Sequence, residues 1–190
     1  MVSVRSFARP APGARSIPIH ALSAGGGTLA LSPMPGTGGD YRGDLDHIAA
    51  WAPAFVITLV TQTELAVAGI ADLGQDLRDK GTRWLHLPLA DMGVPDEGFL
   101  ARWSEASTSV RRALLGGGRV LVHCRAGCGR SGMVVLRLMI EAGEAADEAL
   151  ERLRAVRPCA VETEAQMRWA LAAPRAPARF LRHRDGPTVT

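Results

Sequence analysis

A short apolar run, Val120-Leu121-Val122, ends on His123-Cys124. The stretch Arg125-Ala126-Gly127-Cys128-Gly129 then leads to Arg130-Ser131-Gly132 and an apolar segment from Met133 to Ile140. The run reads as a buried strand and the segment after it as a helix, so a strand feeds a tight loop and the loop feeds a helix N-terminus. That geometry points backbone N–H groups at a common centre, and the helix dipole adds partial positive charge there. A cysteine facing such a centre is favoured as its thiolate. Arg130, separated from Cys124 by five residues, can fork onto two oxygens of one phosphate. The chemistry these residues suggest is a thiolate attacking phosphorus.

The rest of the chain alternates strand and helix signals. Thr28 to Leu31 is a β candidate ending at Ser32-Pro33-Met34-Pro35-Gly36. Asp44 is placed to cap a short helix through Leu45, Ile48 and Trp51. Phe55 to Val60 is an uncharged, β-branched strand. Thr61 or Thr63 caps the next segment, with Glu64 in its first turn, and residues 70–79 form a further helical stretch closed by Gly81. Arg83 to Leu89 is another strand, followed by a loop over residues 90–98. Phe99 to Leu115 is a helix, with Leu100, Trp103, Ala106, Val110 and Leu114 at spacings of three and four, and Gly116-Gly117-Gly118 ends it. After Ser131 the pattern is helical over 131–142, 144–156 and 162–172. The expected fold is α/β, with a mostly parallel central sheet of four to five strands flanked by helices. Ligands of such sheets sit at the carboxyl ends of the strands, where Cys124 and Asp91 both fall.

The chain has 190 residues and is 47% hydrophobic, which fits one soluble domain. The net charge of +3 invites a nucleic-acid reading, but its distribution argues against one. Residues 1–19 carry +3 and residues 174–190 carry +3, so 20–173 carries −3. The expected organisation is a flexible basic segment over 1–19, a catalytic domain over 20–173 and a flexible basic tail over 174–190. No apolar run reaches the length of about 20 residues that spans a bilayer. The three cysteines, Cys124, Cys128 and Cys159, are too few for a disulfide framework and fit a reducing, cytoplasmic setting. No second ligand pair accompanies Cys124 and Cys128, and Arg125 and Arg130 repel a cation, so no metal is expected. No organic cofactor is implied either.

The six N–H groups of residues 125–130, with the Arg130 guanidinium, can surround three phosphoryl oxygens. Cys124 would split hydrolysis into two steps through a phosphocysteine. Ser131 can donate to the sulfur and help it leave. His123 is read as fixing loop carbonyls and tuning the thiolate. On the loop alone, a sulfurtransferase of the rhodanese type or a phosphate-binding module without turnover stays open.

The run His123-Cys124-x5-Arg130-Ser131 resembles the signature of cysteine-dependent protein-tyrosine phosphatases. Leu87-Pro88-Leu89-Ala90-Asp91 followed by Gly93-Val94-Pro95-Asp96 is similar to the acid loop of the kinase-associated phosphatase group within the dual-specificity class. Thr163-Glu164-Ala165-Gln166 is similar to that group's Thr-x-x-Gln segment, and the likeness extends over residues 28–172. The resemblance implies that Asp91, 33 residues before Cys124, protonates the leaving oxygen and then acts as base on water. Asp96 is the alternative acid, with a turn role beside Pro95 as its plainer explanation. Gln166 either positions water or is a polar residue at a helix start. Glu64 matches a recurring acidic position and is read as structural.

No counterpart of a phosphotyrosine-recognition loop is found, and the single tyrosine is Tyr41. A shallow pocket follows, open to phosphoserine and phosphothreonine as well as phosphotyrosine. The loop holds no lysine pair, which disfavours polyphosphorylated inositol lipids. The expected partner is a phosphoprotein or phosphopeptide, acted on by a monomer with no nucleic-acid or membrane partner. Cys128 is read as a small loop residue; the sharper alternative is a reversible disulfide with Cys124, which needs Cα atoms within about 7 Å.

Overall fold

The computed structural model describes residues 16–175. The segments expected to be flexible lie mostly outside that range. At its two ends, Ile17 is buried and Arg175 donates to Gly143 O.

Among the described residues, five strands form one sheet in the order β1-β2-β5-β3-β4: β1 (His20–Ala24), β2 (Gly27–Ser32), β3 (Phe55–Thr58), β4 (Arg83–His86) and β5 (Arg119–His123). β1 pairs antiparallel with β2, and every other pair is parallel. Among the described residues the helices are α1 (Tyr41–Trp51), α2 (Gln62–Val67), α3 (Leu73–Asp79), α4 (Glu97–Leu115), α5 (Gly129–Glu141), α6 (Ala146–Val156) and α7 (Glu164–Leu171).

Successive side chains on a strand face opposite sides of the sheet, and here both sides are covered. Leu29, Leu31, Phe55, Ile57, Val120 and Val122 join the core built with α4 to α7. Ala30, Val56 and Leu121 join the core built with α1 to α3. This is why β3 and β5 read as continuous apolar runs rather than alternating ones.

Several boundaries differ from the expected ones. β1 was not anticipated. It returns into β2 through Gly25 and Gly26, both at positive φ (60° and 95°), as a two-residue hairpin turn of type I′ requires. α1 is capped by Asp40, whose carboxylate accepts from Gly43 N, and not by Asp44. Asp44 is buried instead and takes the N–H groups of Ile17 and Gly36, each at 2.8 Å. α5 begins at Gly129 rather than Ser131, so Arg130 belongs to its first turn. Among the described residues, no helix is long and apolar enough to cross a membrane.

Candidate active site

β5 is the central strand, and its carboxyl end delivers Cys124 among the loops that follow β2, β3 and β4. Cys124 is buried with a free thiol, its Sγ 3.4 Å from Ser131 Oγ. Ser131 sits in the first turn of α5, so the helix start holds a hydroxyl against the sulfur.

The loop after Cys124 has its carbonyls bonded outward. Arg125 O accepts from Met34 N at 3.1 Å. Ala126 O and Gly127 O accept from Arg157 at 2.9 and 3.0 Å. Cys128 O accepts from Gly132 N at 2.8 Å and Val161 N at 3.4 Å. In a planar trans peptide the carbonyl and the following N–H point in opposite directions. The N–H groups of Ala126, Gly127, Cys128 and Gly129 are therefore turned away from those partners, toward the cysteine side. Gly127 has φ of 69°, and a Cβ there would run into the Ser32–Pro33 peptide, so glycine is required on both counts. Cys128 caps α5 without a side-chain bond, which leaves the first helical N–H groups available to an anion. The segment expected to form the cradle, Arg125, Ala126, Gly127, Cys128, Gly129 and Arg130, runs as one loop and helix start directly after Cys124.

Arg130 is 2% exposed and its charge is well partnered. Nη1 and Nη2 reach Glu64 Oε2 and Oε1 at 2.8 and 2.9 Å, a bidentate pair along one edge of the guanidinium. Nη1 also donates to Leu89 O at 3.0 Å. Nε and the outer hydrogen of Nη2 make up the second edge, and Asp91 Oδ1 lies 3.2 Å from Nη2. Burial acts against the Arg130 charge, but the bonded Glu64 carboxylate, with Cys124 and Asp91, holds its pKa above the ordinary value. Burial likewise acts against the Glu64 carboxylate. Its bonds from Arg130 and Thr61 outweigh that and hold it below the usual range.

Glu64 was expected to be structural, and its geometry adds a second task. With Thr61 it forms the capping box of α2, and the same carboxylate clamps Arg130. The capping box accounts for a Thr-x-x-Glu in sequence, so nothing local signals the clamp.

The two aspartates of the acid loop separate. Asp91 is exposed at the Arg130 edge, with its carboxylate also accepting from Met92 N at 3.2 Å. Asp96 caps α4, accepting from Phe99 N at 2.8 Å. Gln166 is fully buried: its Oε1 accepts from Glu162 N and Thr163 N, and its Nε2 donates to Gly93 O at 3.3 Å. It therefore caps α7 and also fastens the loop that carries Asp91. His123 is fully buried too. Its Nε2 lies 2.7 Å from Thr58 Oγ1, which also accepts from Trp84 Nε1, so β3 and β4 hold one side of the ring. Burial, reinforced by the charges of His86 and Arg130 and opposed by a contact with the Cys124 backbone, pushes the imidazole down to about 4.

Cys128 departs from both expectations held for it. It is bonded to Cys159, with a Cα–Cα distance of 5.3 Å, and Cys124 stays free.

A family model described as the dual specificity phosphatase catalytic domain matches residues 54–175. Among solved structures, kinase associated phosphatase (KAP), with its catalytic-site cysteine changed to serine, is similar at a TM-score of 0.73 and 23% identity, covering 82% of this chain and 93% of that one. Tk-PTP in its active form is similar at 0.63 and 30% identity, covering 79% and 92%. Human DUSP28 is similar at 0.54 and 21% identity, covering 86% and 94%. No curated protein matches the chain by sequence.

Proposed function

The chain belongs to the dual specificity phosphatase family and is a cysteine-dependent phosphatase, and from that premise we propose a role for each residue of its site. Cys124 attacks the phosphorus of a phosphomonoester, forming a phosphocysteine as the ester oxygen leaves. Asp91 gives that oxygen its proton, then takes one from the water that hydrolyses the intermediate. The inward N–H groups of the loop and the Nε–Nη2 edge of Arg130 hold the three equatorial oxygens, whose charge grows in the transition state. Ser131 donates to the sulfur as it is expelled. The observation that carries this assignment is the Arg130 guanidinium, gripped on one edge by Glu64 and meeting Asp91 at the other, beside a free thiol held at Ser131.

The substrate is a phosphoprotein carrying phosphotyrosine and, given a shallow mouth, phosphoserine or phosphothreonine. The enzyme acts as a monomer in the cytoplasm, where a thiol nucleophile is kept reduced and the Cys128–Cys159 bond forms transiently. No nucleic-acid partner is proposed, because the positive charge lies at the two ends and residues 20–173 carry −3. The test is turnover of p-nitrophenyl phosphate and a phosphopeptide panel by wild type and Cys124→Ser. The variant should lose turnover while still binding orthovanadate. Retained turnover would overturn the mechanism, and a panel hydrolysed only at phosphotyrosine would overturn the dual specificity.

A further inference from the structure

We propose that Arg157 is a positioning residue for the phosphate cradle, and that the Cys128–Cys159 disulfide is a second, redox-set clamp on the same loop. The inference rests on the reading of residues 125–130 as the phosphate site.

Arg157 lies just past the end of α6, where its N–H closes the helix on Leu153 O. Its guanidinium turns onto the outer side of the loop. Nη2 donates to Ala126 O at 2.9 Å and Nε to Gly127 O at 3.0 Å, and Nη2 lies 3.2 Å from Cys128 Sγ. The parallel Nε and Nη2 donors of one arginine suit two neighbouring acceptors. Those acceptors belong to consecutive peptide units, the ones on either side of Gly127.

This placement matters because Gly127 is where the loop turns most easily. Glycine has no Cβ to restrict rotation, so the peptide planes that flank it are the ones most free to flip. A flipped plane would point a carbonyl oxygen at the phosphate in place of an N–H. Arg157 grips both planes, and by peptide planarity it keeps the N–H groups of Gly127 and Cys128 facing inward. It touches neither Cys124 nor Arg130 in any contact described above, so its effect on chemistry runs through the loop alone.

The disulfide ties the same loop to the same connector. Cys159 lies two residues beyond Arg157 and is exposed, so a small thiol can reach it. Reduction delivers two electrons and two protons from a dithiol, which becomes a cyclic disulfide as Cys128 and Cys159 return to thiols. Reoxidation passes them to a peroxide, giving water, or to a small-molecule disulfide by exchange. Cys124 is free while that bond is closed. With the bond open, Arg157 carries a larger share of the loop's restraint on this side.

The experiment measures kcat and KM on p-nitrophenyl phosphate and the Ki of orthovanadate. The proteins are wild type, Arg157→Ala, Arg157→Lys, Cys159→Ser and the double variant Arg157→Ala/Cys159→Ser, each assayed well below its unfolding midpoint. Arg157→Ala should lower kcat and raise the vanadate Ki by roughly ten-fold, with KM moving less. Arg157→Lys keeps one charged donor and should recover part of the loss. The double variant should lose more than the product of the single effects, because both restraints hold one loop. Vanadate affinity and kcat within about twofold of wild type in the double variant would overturn the proposal. Single effects that simply multiply would overturn the shared clamp. A wild-type enzyme that vanadate does not inhibit would instead remove the phosphate-site reading beneath it.

Discussion

Glu64→Gln is the sharpest probe of how the site is held together. The substitution keeps the shape of the side chain but removes the charge that clamps Arg130 at 2.8 and 2.9 Å. It also places an NH2 group where an acceptor stood, facing a guanidinium that only donates. Removing one partner of a fully buried ion pair costs about 3–5 kcal/mol. Glu64 retains 20% side-chain exposure, and Leu89 O and Asp91 still partner Arg130, so a loss of about 2 kcal/mol is the reasonable magnitude. For a domain of this size that is a fall of roughly 4–8 °C in Tm. Turnover should fall as well, by roughly ten- to a hundred-fold in kcat/KM, because the fork that meets the phosphate is no longer fixed. The stability gap also carries a pH signature. The folded pKa of Glu64 is depressed, so its contribution is fully present above the unfolded value of about 4.3 and disappears as pH falls through the lower folded value. Urea unfolding of both proteins at neutral pH and near pH 3, with kcat/KM at neutral pH, tests this. Equal stability and turnover at neutral pH, or a gap undiminished in acid, would refute the clamp.

Four further outcomes are expected. Asp91→Asn should slow hydrolysis of esters with poor leaving groups by about a hundred-fold or more while sparing good ones. Asp96→Ala should cost about 1 kcal/mol of stability through loss of the α4 cap, with the leaving-group dependence intact; exchanged results would move the acid to Asp96. His123 stays neutral in the folded protein down to about 4, against 6.5 when unfolded. The unfolded chain therefore binds more protons between those values, and stability falls as pH drops through that window, by about 3 kcal/mol for this residue. Urea unfolding should show a flatter slope there in His123→Gln, and an unchanged slope would count against it. Finally, protein purified and denatured without reductant should titrate one thiol, Cys124, and with reductant all three. Three thiols in both samples would remove the cross-link.

What could be read from sequence followed from how local each feature is. Cys124, Arg130 and Ser131 are contiguous with the strand and helix that place them, so their chemistry was legible in one window. β3 and β5 were legible because both of their faces are buried. β1 was not: of His20-Ala21-Leu22-Ser23-Ala24 only Leu22 and Ala24 are buried, and it pairs on one side alone. Its one cue, the glycines at 25 and 26, sits in a run that also reads as a plain loop. Glu64 was hidden by having a sufficient local explanation in the Thr61 box. Arg157 stands among many arginines, and nothing near it in sequence points to a carbonyl 30 residues away. Cys128 to Cys159 is likewise a contact across 31 residues that spacing alone does not disclose.

The position of β5 constrains how the protein can be made. β2 and β3 lie on either side of it and do not pair with each other. A nascent chain that has emerged only as far as α4 holds two apolar strands, at residues 27–32 and 55–58, whose shared partner is still to come. Such unpaired edges invite association with other chains, and the long loops that must close before β5 inserts slow the sheet's completion. The strand that delivers the nucleophile is thus also the one that zips the two halves of the sheet together. A chain truncated before residue 119 would be left with open edges as well as without a catalyst.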